Sequence, residues 1–134
     1  MESKGYVAFI VDDEEVIASM LELILSNKGF DARSFFDPLD ALRAAHSVAP
    51  DLLITDVTMP KLDGIELAVQ IKQLHPDCEV LLSSGYFLTS EQLAEAGSHG
   101  RQFAFLPKPV RMESLFAKIE ELLPDGVAPG VPCG

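Results

Sequence analysis

Short apolar runs alternate with amphipathic segments along almost the whole chain, and this alternation limits the folds open to it. The runs are typical of strands buried on both faces of a sheet, and the segments between them place apolar residues at helical spacing. The predicted strands are residues 6–11, 31–36, 51–55, 79–83 and 102–106. The predicted helices are residues 14–27, 37 to about 48, 65–74, 89 or 90 to 96, and 111–123.

Residues at the predicted element ends agree with this division. Gly29 is a suitable stop for the first helix, because glycine readily adopts the left-handed conformation that ends many helices. Asp37 followed by Pro38 is a helix start, with aspartate as the N-cap and proline at the first helical position. Pro50 prevents that helix from continuing into the third strand.

Five repeats of a strand followed by a helix favour a parallel sheet with helices on both faces, because each crossover must be right-handed and cover the sheet. We therefore predict an α/β, flavodoxin-like, doubly wound (βα)5 fold with a five-stranded parallel sheet. We adopt the strand order 2-1-3-4-5, one of the common orders of this architecture. Residues 1–123 are expected to form this domain. Residues 124–134, rich in Pro and Gly, are expected to form a flexible tail or the start of a linker.

Composition argues against several other classes of protein. The net charge of -11 is the opposite of the basic face that nucleic-acid binding needs, so no direct nucleic-acid partner is expected. The two cysteines and three histidines are scattered, which argues against a zinc site or a disulfide framework. No apolar stretch approaches the roughly 20 residues of a membrane helix. We therefore expect a soluble, cytoplasmic protein with no membrane partner.

Five polar residues occupy one kind of place in the predicted fold, the carboxyl end of a strand. Asp12 and Asp13 follow the first strand, Asp56 the third, Ser84 the fourth and Lys108 the fifth. Ligands of open α/β sheets bind in the crevice outside these strand ends. The sequence therefore predicts that the five side chains share one site.

Three carboxylates within a few ångströms of one another repel, so a proton or a cation must offset their charge. A hard divalent cation suits oxygen ligands, and Mg²⁺ takes one or two carboxylates, several waters and a phosphate oxygen. A carboxylate beside such an ion can attack phosphorus and form an aspartyl phosphate. A lysine on the other side would stabilise the transferring group.

Four motifs in this order resemble the receiver domains of bacterial response regulators, the class that includes the chemotaxis regulators. They are VDDEE at residues 11–15, TDVTMPKLDG at 55–64, LLSSG at 81–85 and LPKP at 106–109. The resemblance covers about residues 6–123. It implies a phosphoacceptor of a two-component phosphorelay, which receives phosphate from a histidine kinase or a histidine phosphotransfer protein and switches a partner-binding surface.

The resemblance also implies roles for individual residues. Asp56 would be the phosphorylated nucleophile. Asp13 and Asp56 would bind Mg²⁺ directly, the backbone carbonyl of Thr58 would be another ligand, and Asp12 would act through the water shell of the metal. Mn²⁺ is expected to be able to replace Mg²⁺.

The remaining implied roles concern the phosphoryl group and the switch. Lys108 would pair with the phosphoryl group. Ser84 would be the switch hydroxyl that moves to bond the phosphate, and Phe105 would be the switch aromatic. Pro60 and Gly64 would shape the loop after Asp56. The chain would be a signalling switch rather than an enzyme, catalysing only its own phosphorylation and dephosphorylation.

Plainer interpretations of several residues stay open at this point. Asp12 and Asp13 are also suitable first-turn acids for the helix that follows them. Ser83 competes with Ser84 for the switch role, and the glycine after Ser84 favours the latter. Phe105 is equally well explained as a core aromatic.

Two other functions are compatible with an acidic site on this fold. An aspartate-nucleophile phosphatase would need a second aspartate two residues after Asp56 as its acid and base, and Thr58 stands there. A phosphate-independent interaction module would be expected to lack the acids or the lysine, and none is missing.

Overall fold

The computed structural model describes residues 5–57, 62–84, 103–107 and 110–123. Strands and helices alternate through this part of the chain. We number the elements in chain order, so the last described helix is α4. They are β1 Val7–Val11, α1 Glu15–Asn27, β2 Asp31–Phe35, α2 Pro38–Ala45, β3 Leu52–Asp56, α3 Gly64–Leu74, β4 Glu79–Ser84, β5 Ala104–Pro107 and α4 Met112–Leu122.

The five strands form one parallel sheet in the order β2-β1-β3-β4-β5. This confirms the predicted fold class and strand order. The helix predicted over residues 89 or 90 to 96 and the tail at residues 124–134 lie outside the described residues.

Side chains of each strand alternate between two apolar clusters, one on each face of the sheet. On one face Phe9 and Val11 pack with residues of α2 and α3. On the other face Ala8 and Ile10 pack with residues of α1 and α4. Burying a large aliphatic side chain contributes about 2 kcal/mol, so a sheet covered on both sides explains why its strands are almost continuously apolar.

Helix ends follow the predicted signals closely but not completely. Asp37 caps α2 by accepting a hydrogen bond from the Leu39 N–H, with Pro38 in the first turn, as predicted. Gly29 has φ 96° just after α1, which confirms its predicted role as a stop. The structure ends α2 at Ala45 rather than near Val48, because the chain closes into turns there.

The doubly wound arrangement creates a switch point between β1 and β3, which are neighbours in the sheet. The helix after β1 covers one face and the helix after β3 covers the other. The connections that follow the two strands therefore diverge at the carboxyl ends of β1 and β3. Proteins of this α/β architecture bind their ligands at that place.

Candidate metal and phosphoacceptor site

The register of β1 and β3 brings Asp12 and Asp56 side by side. Val11 pairs with Thr55 in the parallel ladder, so the next residue of each strand occupies the following rung. Asp56 is the last residue of β3 rather than the residue after it, and it pairs with Ser83 of β4. The sheet thus fixes the backbone positions of two acids at its carboxyl edge.

One carboxylate oxygen from each of Asp12, Asp13 and Asp56 lies within 4.8 Å of the other two. Asp12 is 4% exposed, Asp56 is partly buried and Asp13 is exposed to solvent. Oxygen ligands of an octahedral Mg²⁺ stand about 3 to 4 Å apart, given metal–oxygen bonds of about 2.1 Å. The 4.8 Å limit is somewhat wider than this spacing, so these hard oxygen donors suit a small divalent cation that some of them bind directly and others through its waters.

Asp12 holds its position through the backbone around it. Its N–H donates to the Phe35 carbonyl at 3.1 Å, and its Oδ1 accepts a hydrogen bond from the Glu14 N–H at 2.9 Å. Glu14 is the N-cap of α1 and makes no side-chain cap bond of its own. Asp12 therefore also organises the start of α1, so the turn role left open by the sequence coexists with membership of the acidic cluster.

The backbone of Asp56 and Val57 is held from several directions. The Thr55 hydroxyl donates to the Asp56 carbonyl at 3.0 Å. The Val57 N–H donates to the Ser83 carbonyl at 2.9 Å, and the Gly64 N–H donates to the Val57 carbonyl at 2.7 Å. These contacts, which sequence reasoning missed apart from the bend at Gly64, fix the chain just after the predicted phosphoacceptor.

Other predicted site residues are covered by the structure only in part. Lys108 and Thr58 lie outside the described residues, as does Pro60. Ser84 ends β4 and pairs with Pro107 of β5, but its side chain is not among those described. Lys108 is the next residue along the chain after Pro107.

Ser83 and Phe105 are placed more fully. Ser83 is 5% exposed and its backbone pairs with that of Asp56. Phe105 lies on β5 and is 37% exposed, so it is not a fully buried core aromatic. The choice between Ser83 and Ser84 as the switch hydroxyl, and the switch role of Phe105, stay predictions.

Among the described residues, the cluster of Asp12, Asp13 and Asp56 is the one group of three or more metal-binding side chains. Cys78 is buried in the core, and this burial raises the pKa of its thiol to about 12. A neutral, buried thiol is a poor metal ligand, because the thiolate is the species that binds. The part of the chain that the structure describes also contains no helix long and apolar enough to cross a bilayer.

An acidic cluster at the β1/β3 switch point of a five-stranded parallel sheet is the arrangement that the resemblance to receiver domains implies. The family model of the response regulator receiver domain matches residues 8–120. The chain belongs to this family, which confirms the resemblance drawn from its motifs.

Two curated relatives and one solved structure illustrate the similarity. The DNA-binding transcriptional regulator NtrC of Escherichia coli is 31% identical over 117 residues, covering 87% of this chain and 24% of NtrC. The response regulator MprA of Mycobacterium ulcerans is 34% identical over 116 residues, covering 85% of this chain and 48% of MprA. A Burkholderia pseudomallei response regulator, solved with a phosphorylated aspartic acid, calcium ion and citrate, has a TM-score of 0.73 and 26% identity, covering 83% of this chain and 64% of that one.

This chain therefore spans about a quarter of the length of NtrC and about half of that of MprA. The similarity concerns the receiver portion of these proteins. It makes this chain a receiver domain of the response-regulator type, with signalling rather than conventional catalysis as its role.

Proposed function

We propose that this chain is the phosphoacceptor of a two-component phosphorelay and that it takes the phosphoryl group on Asp56. The observation that carries the proposal is the group of three carboxylates within 4.8 Å at the carboxyl ends of β1 and β3. A bound cation would offset the charge of such a group, and a phosphoryl group on one of its members would share that cation.

Mg²⁺ is the proposed cofactor, with Mn²⁺ able to replace it. Asp13 and Asp56 would hold the ion directly together with the backbone carbonyl of Thr58, and Asp12 would act through its waters. When bound, the ion supplies positive charge next to the oxygens of the incoming phosphoryl group. The solved Burkholderia relative with a phosphorylated aspartic acid and a calcium ion supports this pairing of modification and cation.

Transfer would begin from a phosphohistidine of a histidine kinase or a histidine phosphotransfer protein. A carboxylate oxygen of Asp56 attacks phosphorus, an O–P bond forms, and the N–P bond to the donor imidazole breaks. Lys108 would pair with the transferring group, and its positive charge would stabilise the charge that spreads over the equatorial oxygens. Hydrolysis of the aspartyl phosphate by water would return the chain to its starting state.

The output would be a change in a partner-binding surface. Phosphorylation adds negative charge and acceptor oxygens to Asp56, to which the Ser84 hydroxyl would move, with Phe105 following. Because the net charge is -11, the proposed partner is a protein or a linked effector domain rather than nucleic acid bound directly. We further propose that residues 1–123 form the receiver, that residues 124–134 form a tail or linker, and that the chain acts in the cytoplasm.

The test is phosphorylation by acetyl phosphate with and without Mg²⁺, followed by intact-mass measurement and peptide mapping. Wild type should gain one phosphoryl group on Asp56 only when Mg²⁺ is present. Asp56→Asn should gain none, because a neutral amide is a much weaker nucleophile than a carboxylate. Asp13→Asn should be labelled much more slowly, because it loses a direct metal ligand.

Asp63→Asn is the matched control for loss of one negative charge. Asp63 caps α3 through its side chain, and asparagine caps as well as aspartate does. This variant should be labelled like wild type. Equal labelling of wild type and Asp56→Asn would show that Asp56 is not the acceptor, and no labelling of wild type by any donor would favour a phosphate-independent module. Steady turnover of a phosphate monoester would favour the phosphatase instead.

A further inference from the structure

Three residues hold the peptide group that follows the proposed phosphoacceptor. Its carbonyl oxygen, that of Asp56, accepts a hydrogen bond from the Thr55 hydroxyl at 3.0 Å. Its N–H, that of Val57, donates to the Ser83 carbonyl at 2.9 Å. Gly64 packs so closely on the same carbonyl that a Cβ there would stand 2.1 Å from the oxygen. We call these contacts of Thr55, Ser83 and Gly64 the peptide clamp.

Thr55 is the one member of the clamp that acts through a side chain. It is 0% exposed, in a strand whose preceding residues Leu52, Leu53 and Ile54 are all buried and aliphatic. Burying a hydroxyl costs about 1–3 kcal/mol unless it is hydrogen-bonded. Valine has nearly the same shape and no such cost. A threonine here is therefore favoured over valine only if its hydroxyl is hydrogen-bonded, and the Asp56 carbonyl is the acceptor.

We infer that Thr55 is a positioning residue, whose hydroxyl fixes the Asp56–Val57 peptide and through it the direction of the Asp56 carboxylate. The orientation of this peptide sets the ψ angle of Asp56, and so the position of its Cα and side chain relative to Asp12 and Asp13. A reacting group displaced by as little as about 1 Å can lose up to about 100-fold in rate. This inference rests on the proposed function of Asp56.

The test compares Thr55→Val, which keeps the shape, with Thr55→Ser, which keeps the hydroxyl. Mg²⁺ affinity is measured by calorimetry and labelling of Asp56 by acetyl phosphate is followed by mass spectrometry. Thr55→Val should lower both the Mg²⁺ affinity and the rate of Asp56 labelling by about tenfold. Loss of a residue that orients a metal ligand typically costs about 10- to 100-fold. Thr55→Ser should recover most of that loss.

Ile119→Val is the matched control for general destabilisation. Ile119 is a fully buried residue of α4 outside the peptide clamp, and the substitution costs about 1 kcal/mol. It should leave Mg²⁺ affinity and labelling unchanged. If Thr55→Val behaves like Ile119→Val, the positioning role is wrong. If wild type itself takes no phosphate on Asp56, the proposed function is wrong instead.

A measurement on wild type tests the hydrogen bond without any variant. The Thr55 hydroxyl proton should give a resonance in the NMR spectrum, because it is buried and bonded and therefore exchanges slowly with water. The Val57 amide should also be protected from exchange, since it donates to Ser83. A Thr55 hydroxyl that exchanges as fast as an exposed one would overturn the inference, even if Thr55→Val did not fold.

Discussion

Gly64 leaves no room for a side chain beside the proposed phosphoacceptor. A Cβ at this position would lie 2.1 Å from the Asp56 carbonyl oxygen and 3.0 Å from the Val57 Cα, both of them backbone atoms. Helix propensity alone would make Gly64→Ala stabilising by up to about 1 kcal/mol, since Gly64 is the first residue of α3. The clash predicts the opposite sign, because the end of β3 or the start of α3 must move.

We therefore expect Gly64→Ala to lower the free energy of unfolding by about 1–3 kcal/mol and to slow labelling of Asp56. Urea denaturation measures the first effect and acetyl phosphate labelling the second. Gln73→Ala, an exposed substitution in the same helix, is the control and should change neither. A Gly64→Ala protein as stable as wild type would show that the backbone yields there at no cost.

At the scale of single residues, the sequence predicts which acids meet but not how they are held. Asp12, Asp13 and Asp56 can be placed together because each stands at the end of an apolar run, and the ends of parallel strands share one edge. The contact of Thr55 with the Asp56 carbonyl has no such signal, since any threonine in a strand has the same local pattern. The sequence around Gly64 predicts only a bend. Its close approach to the end of β3 depends on tertiary packing, which the local sequence does not reveal.

The start of α3 is set by a side-chain cap. The Asp63 carboxylate accepts a hydrogen bond from the Glu66 N–H at 2.8 Å, and glutamate three residues after the cap is typical of a capping box. Asp63→Ala should lower the free energy of unfolding by about 1 kcal/mol, because an N–H at the helix end loses its partner. Asp63→Asn removes the charge and keeps the cap, so urea denaturation should place it near wild type. Equal losses for Ala and Asn would mean that charge, not capping, matters here.

At the scale of elements, the sequence predicts which segments form strands or helices better than where they end. The first helix ends as predicted because Gly29 takes φ 96° and lets the N–H of Phe30 reach the Leu25 carbonyl at 3.1 Å. The second helix ends earlier than predicted. The N–H groups of Ser47 and Val48 both donate to the Ala44 carbonyl. Residues 44–48 contain no glycine or proline from which this turn could be predicted.

The arrangement of the whole sheet depends on information that no single segment carries. Alternating strands and helices predict parallel pairing, yet local patterns do not say which strands are neighbours. The order 2-1-3-4-5 is one of several that doubly wound folds adopt, and the sheet has it. This order makes β1 and β3 neighbours with their helices on opposite faces. The acidic cluster at their ends is therefore a consequence of the topology.

That cluster also links the proposed function to the stability of the whole molecule. The chain has a net charge of -11, and three of its carboxylates lie within 4.8 Å of one another, so their repulsion opposes folding until a cation binds. Mg²⁺ that binds the folded state should raise the free energy of unfolding by about 2.7 kcal/mol at a hundredfold excess over its Kd. Urea denaturation in MgCl₂ and in NaCl of equal ionic strength measures this difference.

Asp13→Asn separates repulsion from general screening by salt. Without Mg²⁺ this variant should be more stable than wild type, because one of the repelling charges is gone, and it should gain much less from added Mg²⁺. Asp77→Asn is the control. Asp77 is exposed, as Asp13 is, but it lies in the turn before β4, at the amino ends of the strands. This variant should respond to Mg²⁺ like wild type. If wild type were equally stable in both salts, the three carboxylates would not form a magnesium site, and phosphorylation of Asp56 would have to proceed without one.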